Sequence, residues 1–510
     1  MIYCWGRIGV VVAAAVLAGA AVWLGACSGA ADNTMQPVEP QQAAAEGGRQ
    51  LQPHMGGSGL VRLQPGETEA LLVYSGVTHG TLEACGCDGN IAGGMTKERT
   101  VVRWLRESGR PVLHVHPGDL MPYKDLPGKS RYVAEAAALM GFDAVAVGDQ
   151  ELREGVPVFR DLASQFRLPF VAANLRDADG KPLAPPYVIR TLAGVKVGIF
   201  SIVADSGEGW YVFDETAFPE GVARRPVRQA VAEVLAEMDG KVDYVVLLSQ
   251  QDKSLDCKLA YEFPRINLIV GGHDEKLITH PIRIGSTLVV NAGVAGDFVG
   301  IVRLGIDPRR HVRVLAHEFG VAGGTVPKDP DVEAIYARYV KEQNVRPEVY
   351  SKDDPDVFQS SETCEPCHKA IYKQHMTTKH ARAWQTLVDA KRTEDRECWS
   401  CHTMGNRRPS GFKSMAETPE LANVSCQACH PVTHDHNDRG IKSDPDFPLN
   451  QRACERCHTV VTSPDFNFWK DIEEIDHHDV KEKSNDPPPG YKHWLAMPEA
   501  KDAAPVAPTK

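Results

Sequence analysis

Four copies of one cysteine and histidine pattern lie near the C-terminal end of this 510-residue sequence. The copies are CEPCH, CWSCH, CQACH and CERCH, with cysteines at Cys364, Cys367, Cys398, Cys401, Cys426, Cys429, Cys454 and Cys457. In a C-x-x-C-H motif the two thiols bond to porphyrin vinyl groups, and the adjacent histidine ligates the iron of a c-type haem. The proximal ligands would be His368, His402, His430 and His458. Paired C-x-x-C motifs also build zinc sites, but a histidine in each of the repeats favours four covalent haems.

Other histidines in the same region are candidates for the second axial position of each iron. They are His375, His380, His434, His436, His477 and His478. The strongest candidates are His380, within KHARAW, and His434, which follows His430 closely. A second histidine gives a six-coordinate iron suited to electron transfer, whereas an open position allows chemistry on a small ligand.

The sequence around these motifs is similar to that of a known family. SSETCEPCHKAIYKQHMTTKHARAWQTL, ECWSCHTMG and VSCQACHPVTHDH resemble the tetrahaem cytochrome c-554 family, over residues 356 to 470 or thereabouts. The resemblance implies closely stacked haems and electron transfer. The region has few long apolar stretches, so we expect a mainly α domain at 356–480, packed around haem without a core of its own.

Residues 67–320 alternate between strand-like and helix-like segments. The strand-like segments are ALLVYSG, VLHVH, DAVAV, FVAAN, KVGIFSIV, DYVVLLS and INLIVGG, and the helix-like ones are KERTVVRWLRES, SRYVAEAAALMG and RQAVAEVLAEMDG. This order predicts a layered α/β domain with a central sheet. Such sheets carry functional residues at the strand ends.

The residues after these strands form an ordered series of short motifs: THG, PGD, GDQE, LSQ and GGHDE. The series resembles the calcineurin-like metallophosphoesterases, in particular the periplasmic 5'-nucleotidases. That resemblance implies two divalent metal ions that activate a water for attack on phosphate.

The chain departs from that family's pattern at most ligand positions. His79, Asp119 and His273 match it, but Val77 stands in place of the first Asp. Asp149, Gln150, Gln250 and Glu275 also replace the residues that the family carries. Because an apolar side chain cannot ligate a metal, we expect a remnant site of His79, Asp119, Asp149 and His273 and no ordinary phosphatase activity. Whether a divalent metal binds there stays open.

Cys85, Cys87 and Cys257 lie on segments predicted to meet at the same edge of the sheet. Cys85 and Cys257 could form a structural disulfide, as is common in exported proteins. Alternatively, the thiols replace lost ligands of a soft metal ion. In the third alternative, Cys85 and Cys87 form a redox-active pair, or supply a nucleophile, and exchange electrons with the haems. His114 and His116 are expected to be strand residues or supports for Asp119, and not a metal pair.

The N-terminal segment reads as an export signal. An apolar run follows Arg7 and leads into LGAC, which ends at Cys27, so residues 1–27 are typical of a lipoprotein signal peptide with Cys27 lipidated. A transmembrane anchor is the alternative. Both place the chain outside the cytoplasm, on the periplasmic side, and Ser28 favours the outer membrane.

The remaining segments connect or extend the two domains. Residues 28–66 are predicted to be a flexible tether, 321–355 a connector with a helix at DVEAIYARYVKEQN, and 481–510 a disordered tail. The net charge of -11 argues against a nucleic-acid partner.

Three hypotheses of function follow. In the first, the chain is a lipid-anchored electron-transfer protein that serves a redox partner protein or a quinone-linked donor. Its α/β domain then acts in docking or in thiol or sulfur redox chemistry. In the second, the α/β domain hydrolyses a phosphate or sulfur-linked ester. In the third, an open haem reduces a small molecule. The substrate of the α/β domain, and whether it is an enzyme at all, stay unassigned.

Overall fold

The computed structural model describes most of the two predicted domains. The described residues are 61–86, 91–122, 126, 128–205, 221–345, 357–430, 451–459, 461–463 and 465–477. The predicted signal peptide with Cys27, most of the tether and the C-terminal tail lie outside them, as do Cys87, His434, His436 and His478. The chain divides into two compact units, the first ending at Tyr336 and the second continuing from Ala337.

The first unit is built on two large β-sheets. Its strands are β1 Thr68–Ser75, β2 Val112–His116, β3 Ala144–Ala146, β4 Phe170–Val171, β5 Leu175–Arg176, β6 Tyr187–Leu192, β7 Val195–Val203, β8 Ala223–Arg224, β9 Tyr244–Gln250, β10 Leu268–Gly271, β11 Ile282–Ile284, β12 Thr287–Val290, β13 Phe298–Ile306 and β14 Val312–Val321. One six-stranded sheet has the order β14-β13-β1-β2-β3-β4, the other β11-β12-β10-β9-β7-β6, and β5 pairs with β8. Strands β1 to β4 are parallel, as are β7, β9, β10 and β12.

The hydrophobic core lies between these sheets. Alternate residues of β9 show the layering, because successive side chains of a strand point to opposite faces. Tyr244, Val246 and Leu248 join a buried cluster that includes residues of β1, β2 and β13, whereas Val245 and Leu247 pack with helix residues. The expectation of one central sheet was therefore wrong. Strands buried on both faces read as continuous apolar runs, which do not reveal how they divide between sheets.

Helices alternate with many of these strands or follow them along the chain. They are α1 Met95–Glu107, α2 Lys129–Met140, α3 Val156–Gln165, α4 Val227–Glu237, α5 Lys253–Glu262 and α6 Pro330–Val345. In α4, Val227, Ala230, Val231 and Val234 recur at helical spacing and are buried against the second sheet. The strand and helix segments predicted from sequence are confirmed, and α6 occupies the predicted connector helix. Within the described ranges, we find no helix with the length and apolar character needed to cross a membrane.

The second unit consists of short helices and turns. Its helices are α7 Lys369–His375, α8 Ala383–Asp389, α9 Arg396–His402, α10 Gln451–Glu455 and α11 Phe468–Asp471. Contrary to the expectation that this region lacks a core, a small cluster is buried there, made of Leu387, Trp399, Met404, Phe412 and Leu421. Trp399 and Phe412 supply large rings to it, so a few residues provide apolar area that long aliphatic stretches provide elsewhere.

Candidate functional site

The strand ends of the first unit bring three predicted site residues together. Asp119 follows β2, Asp149 follows β3 and His273 follows β10. One ligand atom from each of these side chains lies within 4.8 Å of the others. Parallel strands end at a common edge, so residues far apart in sequence converge there. The geometry matches a small metal-ligand group.

His79, the fourth predicted member, contacts other side chains. Its Nε2 lies 2.7 Å from Oε1 of Glu275. Its Nδ1 lies 2.9 Å from the side-chain oxygen Oε1 of Gln150. Burial lowers the pKa of His79, but the hydrogen bond and charge of Glu275 outweigh burial and raise that pKa to about 9. His79 therefore forms a buried ion pair with Glu275 at neutral pH.

Charge is concentrated among the three converging residues. Nδ1 of His273 lies 3.7 Å from Oδ2 of Asp119. Burial raises the pKa of Asp119, but the imidazoles of His273 and His79 outweigh it, and the pKa falls below its ordinary value. Burial and then the charge of Asp119 raise the pKa of Asp149 well above its ordinary value. The imidazoles therefore favour the ionised form of Asp119, whereas the charge of Asp119 disfavours ionisation of Asp149.

Glu151 fixes the backbone around this group. Its carboxylate accepts hydrogen bonds from the backbone amides of Leu120 and Gly148, both at 2.7 Å, and of Asp119 at 3.2 Å. Burial and the charge of Asp119 raise the pKa of Glu151 to about 7. Sequence reasoning assigned no role to Glu151. Its position at the end of the GDQE motif was the available signal.

The backbone at the site adopts uncommon conformations. His79, Asp119 and Glu275 have φ angles of 52°, 53° and 55°, in the left-handed region that non-glycine residues seldom occupy. Such conformations cluster at functional sites, where the surrounding structure enforces them.

His116 behaves as the predicted support for Asp119. Its Nε2 lies 2.8 Å from Oγ1 of Thr78, and its Nδ1 accepts a hydrogen bond from the amide of Gly118 at 3.2 Å. It thereby connects the residue before His79 to the residue before Asp119. His114 instead contacts Ser75 at 3.0 Å within β2 and β1.

The cysteines of this unit contradict the predicted disulfide between Cys85 and Cys257. Cys85 is disulfide-bonded, whereas Cys257 is a reduced thiol in α5, 1% exposed. A disulfide between Cys85 and Cys257 is therefore wrong, because α5 keeps Cys257 inside the core. The soft-metal and redox-thiol alternatives stay predictions, since Cys87 lies outside the described residues.

A buried carboxyl in α1 predicts a pH effect on stability. Glu98 in α1 accepts a hydrogen bond from Ser75, and burial raises its pKa to about 7. The unfolded chain releases this proton near pH 4.5 and the folded chain near pH 7, so stability falls as pH rises between these values. We expect Glu98→Gln to exceed the wild type in unfolding free energy by about 3 kcal/mol at pH 8, with little difference at pH 4.

Chemical denaturation followed by circular dichroism measures this difference. Asp256, whose pKa is also raised to about 7 by burial, is present in both proteins, so the comparison isolates Glu98. An equal difference between the two proteins at both pH values would contradict the prediction.

In the second unit, cysteines of different motifs lie side by side. The thiol of Cys364 hydrogen-bonds to that of Cys426, which raises the pKa of Cys364 and lowers that of Cys426 to about 5. Burial raises the pKa of Cys429 to about 11, with a further increase from the nearby Cys454. The first, third and fourth motifs are therefore neighbours in space.

Two of the motif histidines have one ring nitrogen engaged by oxygen. Nδ1 of His402 lies 2.7 Å from the carbonyl oxygen of Ala383, and Nδ1 of His458 lies 3.0 Å from Oγ of Ser463. A metal-ligating histidine typically donates its other N–H in this way, which fixes the tautomer and the ring orientation. Both residues therefore fit the role of an iron ligand through Nε2.

Two pairs of imidazole rings lie close together in this unit, with their planes inclined to each other by 61° and 64°. The ring centroids of His380 and His458 are 6.1 Å apart, and those of His430 and His477 are 5.7 Å apart. A metal–imidazole bond is about 2 Å long, so two rings bound to opposite sides of one iron have centroids roughly 6 Å apart. The pKa of His380 is lowered mainly by burial, then by the charge of His458 and then by that of His375. His375 therefore also lies near His380. His434, His436 and His478 lie outside the described residues.

Known proteins resemble the two units separately. Residues 363–431 match the family described as Cytochrome c554 and c-prime. Cytochrome c-554 of Nitrosomonas europaea is 26% identical over 126 residues, which cover 22% of this chain and 54% of that protein. The 5'-nucleotidase of Bos taurus is 24% identical over 309 residues, covering 52% of this chain and 51% of that protein. This chain thus spans about half the length of these relatives.

Solved structures also align with the first unit. A 5'-nucleotidase precursor from Thermus thermophilus aligns with a TM-score of 0.47 and 20% identity, over 60% of this chain and 67% of that one. The sulfate thiohydrolase SoxB of the same species aligns with a TM-score of 0.46 and 20% identity, over 61% and 69%. The sequence matches confirm both resemblances: the C-terminal part of the chain resembles the cytochrome c554 family, and the N-terminal part resembles the 5'-nucleotidases.

Proposed function

We propose that this chain is an exported, lipid-anchored electron-transfer protein that carries four covalent c-type haems in its second unit. The observation that carries the proposal is the pairing of His380 with His458 and of His430 with His477. In each pair one partner belongs to a C-x-x-C-H motif and the other lies far from that motif in sequence. A haem between such rings supplies reversible one-electron chemistry.

The residues present fit that group. Each motif offers two thiols that can add across vinyl groups, with the thiol hydrogen passing to the neighbouring vinyl carbon. Ala383 and Ser463 orient His402 and His458 through their Nδ1 atoms. Two histidines on one iron leave no position for a substrate, so the paired sites favour electron transfer over catalysis.

The positions of the thiols support transfer between neighbouring haems. Cys364 and Cys426 belong to the first and third motifs and are in hydrogen-bond contact. Cys429 and Cys454 belong to the third and fourth motifs and influence each other's ionisation. Groups attached to these cysteines would have adjacent edges, which suits rapid electron exchange along the series.

The first unit supports hydrolysis less well. Val77 is fully buried and apolar, and the ring of His79 is engaged by Glu275 and Gln150. A two-metal hydrolase needs ligands for both ions to activate water and stabilise the leaving group. We therefore assign this unit to docking or to thiol or sulfur redox chemistry beside the electron-transfer unit, with a redox partner protein or a quinone-linked donor supplying electrons.

Redox titration of the purified full-length protein tests the proposal. We expect visible spectra of low-spin c-type haem, four electrons taken up per chain, and no turnover of phosphate esters when Mn²⁺ is added. Zinc in place of iron would overturn the haem assignment. Metal-dependent phosphate release at enzymatic rates would favour the hydrolase instead, and spectra dominated by ligand-accessible haem would favour the small-molecule reductase.

Lipid attachment is tested by a single substitution. Cys27→Ala removes the thiol that the lipoprotein signal presents, so we expect loss of fatty-acid incorporation and release of the protein from the membrane fraction. Cys257→Ala provides the matched control and should remain membrane-bound. Full membrane retention of Cys27→Ala would instead support a transmembrane anchor.

A further inference from the structure

We propose that the first unit binds one divalent cation, and only one, through Asp119, Asp149, His273 and the side-chain oxygen of Gln250. The inference is independent of the haems and goes beyond the electron-transfer function. It concerns a site in which the dinuclear arrangement implied by the hydrolase resemblance does not fit the residues present.

Unsatisfied buried oxygens are the first observation. Oδ1 of Asp119, Oδ1 of Asp149 and Oε1 of Gln250 are buried, and none has a hydrogen-bond partner among the described residues. Asp119 is 2% exposed and Gln250 1% exposed. Buried polar atoms are nearly always hydrogen-bonded, so these unsatisfied oxygens require an explanation. A cation would satisfy them together.

The placement of Gln250 is the second observation. Its Nε2 donates to the carbonyl oxygen of Pro117 at 2.8 Å. A side-chain carbon added at Gly118 or at Gly272 would lie 2.7 Å from the same nitrogen. The amide therefore lies between the residues that precede Asp119 and His273. With its nitrogen fixed by Pro117, the oxygen remains available for a fourth ligand bond.

Charge balance is the third observation. Ligand atoms of two carboxyl groups and one imidazole lie within 4.8 Å of one another. Carboxylates held this close repel each other unless an opposite charge lies between them. A divalent cation neutralises both carboxylates at once. Carboxylate and amide oxygens with one imidazole suit manganese or a similar ion better than a soft metal.

The place of a second cation is filled by the protein itself. Nε2 of His79 lies 2.7 Å from Oε1 of Glu275 and its Nδ1 lies 2.9 Å from Oε1 of Gln150, so both ring nitrogens have side-chain neighbours. Val77 offers no ligand atom and pairs through its backbone with Val294. The buried ion pair therefore stands where a dinuclear centre would place its other ion, and binding should stop at one.

The single site would connect the two sheets. Asp119 and Asp149 follow strands of the first sheet, whereas Gln250 and His273 belong to strand ends of the second. A cation bound by all four would hold these strand ends together, and a ligand that binds only the folded state stabilises it.

Equilibrium dialysis of the chelator-treated holoprotein against Mn²⁺ tests the inference, with manganese and iron counted separately. We expect one Mn²⁺ per chain and a higher thermal transition temperature. Asp149→Ala and His273→Ala should weaken binding at least tenfold, and Gln250→Ala about tenfold. Asp274→Asn, next to His273 but outside the ligand group, is the matched control and should bind as the wild type does.

Each other outcome overturns the inference. Two Mn²⁺ per chain would show that the His79–Glu275 ion pair does not occupy a metal position. No binding, or binding unchanged in Asp149→Ala and His273→Ala, would show that these residues hold no cation. Haem spectra and circular dichroism of each variant identify any that do not fold. Because iron is counted separately, failure here leaves the electron-transfer proposal intact.

Discussion

Replacing Cys398 and Cys401 together by alanine is expected to reduce the covalent haem content from four groups per chain to three. Both thiols of one motif are lost, so no thioether bond can form there, whereas the other three motifs keep their cysteines. The measurement is the haem absorbance per chain after denaturation and removal of unattached haem. Intact-protein mass gives an independent count.

Cys257→Ala is the control for this experiment. Cys257 is a buried reduced thiol outside every C-x-x-C-H motif, so its removal should leave the haem content unchanged. An equal haem content in the double variant and the wild type would show that the second motif carries no haem. A zinc content that falls instead would show that these cysteines bind that metal.

Replacing His380 by alanine is expected to open one iron to external ligands. The ring centroid of His380 lies 6.1 Å from that of His458, and burial helps keep His380 neutral by lowering its pKa to about 4. Loss of this ring would leave the iron held by His458 with five ligands. We therefore expect a high-spin signal from one haem in four, and binding of carbon monoxide by that haem alone.

A conservative replacement separates ligation from folding. His380→Met keeps a potential axial ligand, so the haem should remain low-spin, while its reduction potential should rise because a thioether stabilises the reduced iron. His311→Ala, at an exposed position of the first unit, should change neither spectrum nor potential. A His380→Ala protein whose haems all remain low-spin would show that another residue is the second ligand.

The sequence alone predicted the sites whose reacting groups all lie within one short segment. Two thiols and a histidine within five residues specify haem attachment wherever they lie, because the reacting groups come from one short segment. The strand ends were equally accessible, since short apolar runs separated by helical patterns predict a layered α/β unit with its site at the sheet edge. The resemblance of the strand-end motifs to the metallophosphoesterases then singled out Asp119, Asp149 and His273, which lie together.

The sequence also showed in part where metal ligands of the hydrolase pattern are replaced. The loss of ligands at Val77 and Glu275 was visible against the hydrolase pattern. The consequence was not, because a contact between Glu275 and His79 joins residues almost 200 positions apart, and only the folded backbone sets their 2.7 Å separation.

Tertiary structure decided everything that depends on pairing between distant segments. The apolar runs did not show that their strands form two sheets, because strands buried on both faces carry no alternation to assign them. Cys257 was paired with Cys85 in one hypothesis because both follow strands, whereas α5 turns Cys257 into the core. The sequence supplied a set of histidines near the haem motifs, and the packing of the chain selected His380 and His477 as ring partners of His458 and His430. A short segment is enough to identify a motif such as C-x-x-C-H. A contact between distant segments depends on the free energy of packing the whole unit, so only the tertiary structure shows it.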